Sequence, residues 1–88
     1  MNDIVLINLL EKAKKQNKAV QLEGDGGIDM EHIEPDEKYF FQDDCLILED
    51  RSFDCSYIAF AKLTKNAAER ELEFTEHLNK VWGYHEEV

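Results

Sequence analysis

Long apolar runs are missing from this 88-residue chain, and basic residues, proline and closely spaced cysteines are scarce. No stretch approaches the roughly 20 apolar residues that a membrane-spanning helix needs. The one apolar run near the start, Ile4-Val5-Leu6-Ile7, follows an acid rather than a basic leader and precedes no small-residue cleavage site. It reads as part of a helix, not as a signal peptide. Ten Lys and Arg stand against twenty Asp and Glu, a formal net charge of −10. That balance repels DNA, RNA and anionic lipid, because phosphate binding relies on Lys and Arg displacing counterions. Direct nucleic-acid and membrane binding are not expected.

Cysteine and histidine are too few and too far apart for a metal centre. Cys45 and Cys55 lie ten residues apart, and His32, His77 and His85 lack the H-x₃₋₅-H spacing of a tetrahedral zinc site. Without a leader or an N-x-Ser/Thr acceptor, the two thiols read as reduced and buried in a cytoplasmic protein. The segment Gly24-Asp25-Gly26-Gly27-Ile28-Asp29-Met30-Glu31 lacks the twelve-residue spacing of a calcium loop. It also lacks the lysine and the glycine spacing of a phosphate cradle, and its acids would repel phosphate. Neither a metal nor a cofactor is expected. Ser52 and Ser56 have no nucleophile-elbow context. Paired carboxylates arise by chance in a chain this acidic, so they identify no catalytic dyad. The expectation is a non-catalytic protein.

What is present makes one small domain spanning residues 1–88, of α+β class: an N-terminal helix, a small antiparallel sheet of three to four strands, and a C-terminal helix. Leu6, Leu9, Leu10 and Ala13 follow the 3.6 period over residues 3–16, with Asn2 or Asp3 as cap, lysines at the end and Asn17 as stop. Ala19–Glu23 alternates as a strand with Val20 and Leu22 inward, a glycine turn follows, and Ile28–Ile33 alternates again. Pro35 breaks that element, and a short strand is expected near Phe40. Cys45–Glu49 and Tyr57–Ala61 are the best strand candidates, and Asp50-Arg51-Ser52 between them predicts a hairpin, across which the near-symmetric placing of Cys45 and Cys55 about Asp50 could let them face one another. Asn66 with Glu69 forms an Asx variant of the capping box for a helix over residues 67–82 that Gly83 ends. On that helix Ala67, Ala68, Phe74, Thr75, Leu78, Val81 and Trp82 share one stripe, expected to pack into the core, with Glu73, Glu76 and Lys80 opposite.

The charge is localised. Between Glu23 and Asp54 there are twelve acids against Lys38 and Arg51, which equals the whole formal excess. Within that stretch Tyr39-Phe40-Phe41 cannot all point inward on a strand, because alternate side chains face opposite sides. At least one ring is therefore exposed among acids, an arrangement suited to anchoring on a basic protein surface. The candidate partner-binding residues are Glu34, Asp36, Glu37, Tyr39, Phe40, Phe41, Asp43, Asp44, Glu49, Asp50 and Asp54.

The Lys-rich first helix followed by Ala19-Val20-Gln21-Leu22-Glu23-Gly24, then strands and a closing helix, resembles the small acidic phage-encoded anti-CRISPR proteins. One such family blocks its CRISPR effector nuclease by imitating DNA and has a similar opening helix and V-x-L-x-G strand. The resemblance covers about the first 24 residues and the general layout. In that family acids crowd toward the C-terminal half, whereas here they are central, so no contact residue is carried over. The resemblance implies an inhibitor of a basic, nucleic-acid-binding protein such as a CRISPR effector, acting as a nucleic-acid mimic. Two other functions share these features: an assembly subunit of a phage or mobile element that forms homodimers or larger oligomers through its helices, and an immunity protein for a basic toxin.

Overall fold

Asn2 caps the first helix, α1 (Asp3–Gln16), its side chain accepting the Ile4 N–H at 2.7 Å. Asp3 in the first turn and Lys14 and Lys15 in the last complement the helix dipole. Asn17 takes the left-handed conformation (φ 56°) that terminates many helices, and its N–H returns to the Ala13 and Lys14 carbonyls. The face carrying Leu6, Leu10 and Ala13 is buried. This computed structural model describes the backbone of residues 1–86 and the side chains of residues 1–81.

Six strands follow, in two antiparallel sheets of three. The first sheet has order β2-β1-β6, with β1 (Ala19–Glu23) between β2 (Asp29–Ile33) and β6 (Phe60–Thr64). Val20 lies opposite both Ile33 and Leu63, and Leu22 opposite both Glu31 and Ala61. The central strand therefore buries Val20 and Leu22 completely against α1 and the rest of the core. The second sheet is a meander, β3 (Tyr39–Gln42), β4 (Cys45–Leu48) and β5 (Ser52–Asp54). Asp43 and Asp44 join β3 to β4 with φ of 52° and 60°. Both central residues of a two-residue type I′ hairpin need positive φ, and aspartate tolerates it better than most side chains. Leu46 and Leu48 are buried, and Tyr39, Phe41 and Phe53 pack beside them on the same side.

The α+β architecture agrees with the sequence pattern, but the strand order does not follow the expected hairpin. β4 turns back at Glu49–Arg51 and pairs with Ser52–Asp54, not with Tyr57–Ala61. Asp54 explains the departure. Its carboxylate accepts both the Ser56 N–H (2.9 Å) and the Ser56 hydroxyl (2.7 Å), which starts a 3₁₀ turn at Cys55–Tyr57. That turn ends the second sheet and sends Phe60–Thr64 across to pair with β1. The cysteines consequently do not face each other. Cys45 is opposite Asp54, Cys55 is buried in the core, and both thiols are free. Burial pushes the Cys55 thiol above its ordinary pKa.

The second helix, α2 (Ala67–Glu86), begins as its sequence dictates. The Asn66 side chain accepts the Glu69 N–H at 2.8 Å, and Glu69 accepts the Asn66 N–H at 3.1 Å, a reciprocal capping box. Asn66 also donates to the Asn17 carbonyl (2.7 Å), and Lys18 holds Glu69 at 2.7 Å, so the two helix ends are tied together. The rest differs from expectation. The helix runs through Gly83, and Phe74, Leu78 and Val81 are 62%, 38% and 45% exposed instead of entering the core. Every residue from Glu71 to Val81 is solvent-exposed. The side chain of Trp82 lies outside the described residues. The projecting helix stretches the molecule to 58 × 29 × 21 Å with a radius of gyration of 16.2 Å, against about 12 Å for a compact chain of this length. Among the described residues, no helix is long and apolar enough to cross a membrane.

Candidate functional site

Strand alternation divides the aromatic triplet. Tyr39 and Phe41 turn inward, with ring centroids 6.0 Å apart in an edge-to-face contact. The Lys14 ammonium sits 4.9 Å from the Tyr39 ring centroid, and the Tyr39 hydroxyl donates to Glu11. Burial, reinforced by that carboxylate, raises the Tyr39 pKa. Tyr39 ties the second sheet to α1, and Phe41 packs beside it against the core. Phe40 points the other way and is 55% exposed. Its cross-strand neighbour is Ile47, which in turn faces Ser52. Phe40, Ile47 and Ser52 thus cross the outer face of the second sheet as one row.

The acids are not equivalent. Arg51, in the turn before β5, is the centre of an internal network. Its Nη1 and Nη2 donate to the two Glu37 carboxylate oxygens at 2.7 and 2.9 Å, a bidentate pair. Nη2 also reaches the His32 carbonyl (3.1 Å), and Nη1 reaches Asp50 (2.7 Å). The buried Nε lies 3.4 Å from Glu31 without a hydrogen bond's alignment. Arg51 therefore staples the second sheet to β2 of the first. The Arg51 guanidinium holds Glu37 below the usual glutamate range, and Glu37 also accepts the Glu34 N–H at 2.8 Å. Glu34 is equally engaged: one oxygen accepts the Ala67 N–H and the other pairs with Arg70, both at 2.7 Å. It fastens the first turn of α2 to the body.

The remaining candidates gather at the two ends of the outer face. Asp36, Glu49 and Asp50 line a depression with Glu37 and Lys38, and Glu49 and Lys38 also border the shallow groove beside Phe40 and Ile47. Asp43 and Asp44 form the β3–β4 turn at the other end, and the Asp44 carbonyl accepts the Cys55 N–H, which brings Asp54 nearby. The strand separates the two ends by about 13 Å, four residues at roughly 3.3 Å each. Among the described residues, Asp36, Asp43, Asp44 and Glu49 make no side-chain hydrogen bond or ion pair, and each is exposed. Asp54 is bound locally to Ser56, which lowers its pKa. The structure thus brings Asp36, Phe40, Asp43, Asp44, Glu49, Asp50 and Asp54 to one face or its ends. It assigns Glu34, Glu37, Tyr39 and Phe41 to internal contacts.

Sequence reasoning missed Ile47 and Lys38. Ile47 was readable as an apolar strand residue, but its place beside Phe40 depends on the register of the β3–β4 pair. Among the described residues no group of three or more His, Cys, Asp or Glu side chains is placed to hold a metal ion. The face thus combines an apolar pair, Phe40 and Ile47, with exposed carboxylates at both ends. Comparison with protein-family models, curated proteins and solved structures gives no match for this chain.

Proposed function

We propose that this chain is a non-catalytic binding protein whose outer face on the second sheet docks against a basic protein surface. The observation that carries the reading is Phe40, 55% exposed beside Ile47 and flanked at both ends by carboxylates. The aromatic ring supplies contact area that is costly to leave in water, and the acids supply steering and register. A groove built to hold nucleic acid is the partner class this charge pattern suits best, since carboxylates placed there release the same counterions that phosphates do. On this reading the protein is a competitive inhibitor that occupies a nucleic-acid site.

The test is capture from a nuclease-treated lysate on the immobilised protein at low salt, followed by elution with a short nucleic-acid duplex. Basic proteins that the duplex elutes, and that fail to bind an Asp36→Lys/Glu49→Lys bait, support the proposal. Retention that is indifferent to the duplex and to charge reversal contradicts it.

A further inference from the structure

Helix α2 is joined to the body in a different way from α1. Where α1 buries Leu6, Leu10 and Ala13, no apolar side chain of α2 between Ala67 and Val81 is buried. Its attachment is polar and confined to its first turn. On one side the Glu34 carboxylate accepts the Ala67 N–H and pairs with Arg70, both at 2.7 Å. On the other, Lys18 pairs with Glu69 and Asn66 donates to the Asn17 carbonyl, again both at 2.7 Å. Arg70 follows Glu69 by one residue, about 100° around the helix, so the two ties pull in different directions. Glu34 is itself anchored, since its N–H donates to Glu37 at 2.8 Å and Glu37 grips Arg51.

The start of the helix does not depend on these ties. The Asn66–Glu69 capping box and the Lys65–Glu73 ion pair are local to the segment that begins α2. The ties themselves set only its direction. Their four charged side chains, Glu34, Arg70, Lys18 and Glu69, are between 21% and 39% exposed. Ion pairs in such positions are individually weak and are screened by salt. We infer that α2 is an electrostatically clasped lever: Glu34 on one side and Asn17 with Lys18 on the other aim it, and screening or neutralising those charges frees it to swing as an intact helix. From Arg70 to Val81 the arm is about 16 Å long, so a tilt of about 30° at its base carries Val81 about 8 Å. No core residue takes part, so the body keeps its fold when the clasp opens.

Backbone ¹⁵N relaxation of the full chain tests this, with circular dichroism to read helicity. At low salt the order parameters of residues 71–81 are expected to match the body, at about 0.85 for rigid backbone. In Glu34→Gln/Lys18→Gln they should fall to about 0.6 or below, with helicity and the amide shifts of β4 unchanged. Wild type in about 0.5 M salt should move in the same direction, which needs no substitution. Glu76→Gln, on the arm but outside both ties, should behave as wild type. Order parameters that stay near the rigid value in the double variant and in salt overturn the inference, as do values already low in wild type at low salt. Loss of helicity in the double variant also overturns it, because the ties would then form the helix rather than aim it.

Discussion

The carboxylates around Arg51 and those at the ends of the second sheet come from the same acidic stretch, yet they meet opposite fates. Glu37 is held by both arms of a guanidinium, and Glu34 by Arg70 and a helix N–H. A few residues away, Asp36 and Glu49 stand in solvent and, among the described residues, form no ion pair, although Lys38 lines the same depression. The difference separates two uses of one charge. The first set joins elements: sheet to sheet through Arg51, and body to α2 through Glu34. The second set makes no side-chain hydrogen bond or ion pair among the described residues, and it is the set that the proposed docking face draws on. Counting acids would have merged the two.

The sharpest way to break that division is to remove its centre. Arg51→Ala deletes the ties to Glu37, the His32 carbonyl and Asp50, and leaves Glu31 and Glu37 facing each other. It is expected to cost about 2–3 kcal/mol, since hydrogen bonds to charged groups contribute roughly 1.5–3 kcal/mol and this site is only partly buried. Urea denaturation measures it, and a loss below about 0.5 kcal/mol would show the network to be ornamental. Glu37→Gln should cost less, about 1–2 kcal/mol at neutral pH. It should also flatten the acid limb of the stability curve. Because the folded-state pKa of Glu37 is depressed, its contribution is complete above the ordinary value of 4.5 and fades as pH falls through the lower folded value. Wild type should thus lose stability faster than the variant on acidification below pH 4.5, and parallel curves would remove the linkage.

Asn66→Ala comes next, at about 1 kcal/mol for a lost cap. Its signature is local: helical circular dichroism should fall while the β-sheet signal remains. The smallest stability effect is expected at the free acids. Asp36→Lys with Glu49→Lys should change stability by no more than about 0.5 kcal/mol. A large loss there would mean that these carboxylates are structural too, and the comparison would collapse.

Much of this arrangement was legible in the sequence because it rests on local signals. Asn2 and Asn17 bound α1, Val20 and Leu22 alternate inward, and Asn66 with Glu69 announces the start of α2. Period-two alternation also required an exposed ring within Tyr39-Phe40-Phe41. The misread parts depended on non-local choices. Tyr57–Ala61 has the composition of a hairpin partner, but the Asp54–Ser56 turn redirects the chain, a competition between side-chain and ladder hydrogen bonds. Glu34 and Glu37 looked like the other acids because nothing local shows that Arg51 and Arg70 lie beside them. The stripe on α2 has the periodicity of a core helix. Periodicity specifies a face and not what covers it.

The most direct measurement is binding by matched baits that retain the fold: wild type, Phe40→Ala, and Asp36→Lys/Glu49→Lys. The captured basic protein, once isolated, is titrated against each at low salt and at about 0.5 M salt, where screening shortens to a few Å. The account predicts salt-sensitive binding by wild type, with Phe40→Ala weakened about 30-fold or more, the scale of an interfacial hot spot, and the charge-reversed bait weakened further. Equal affinity for all three baits would contradict it.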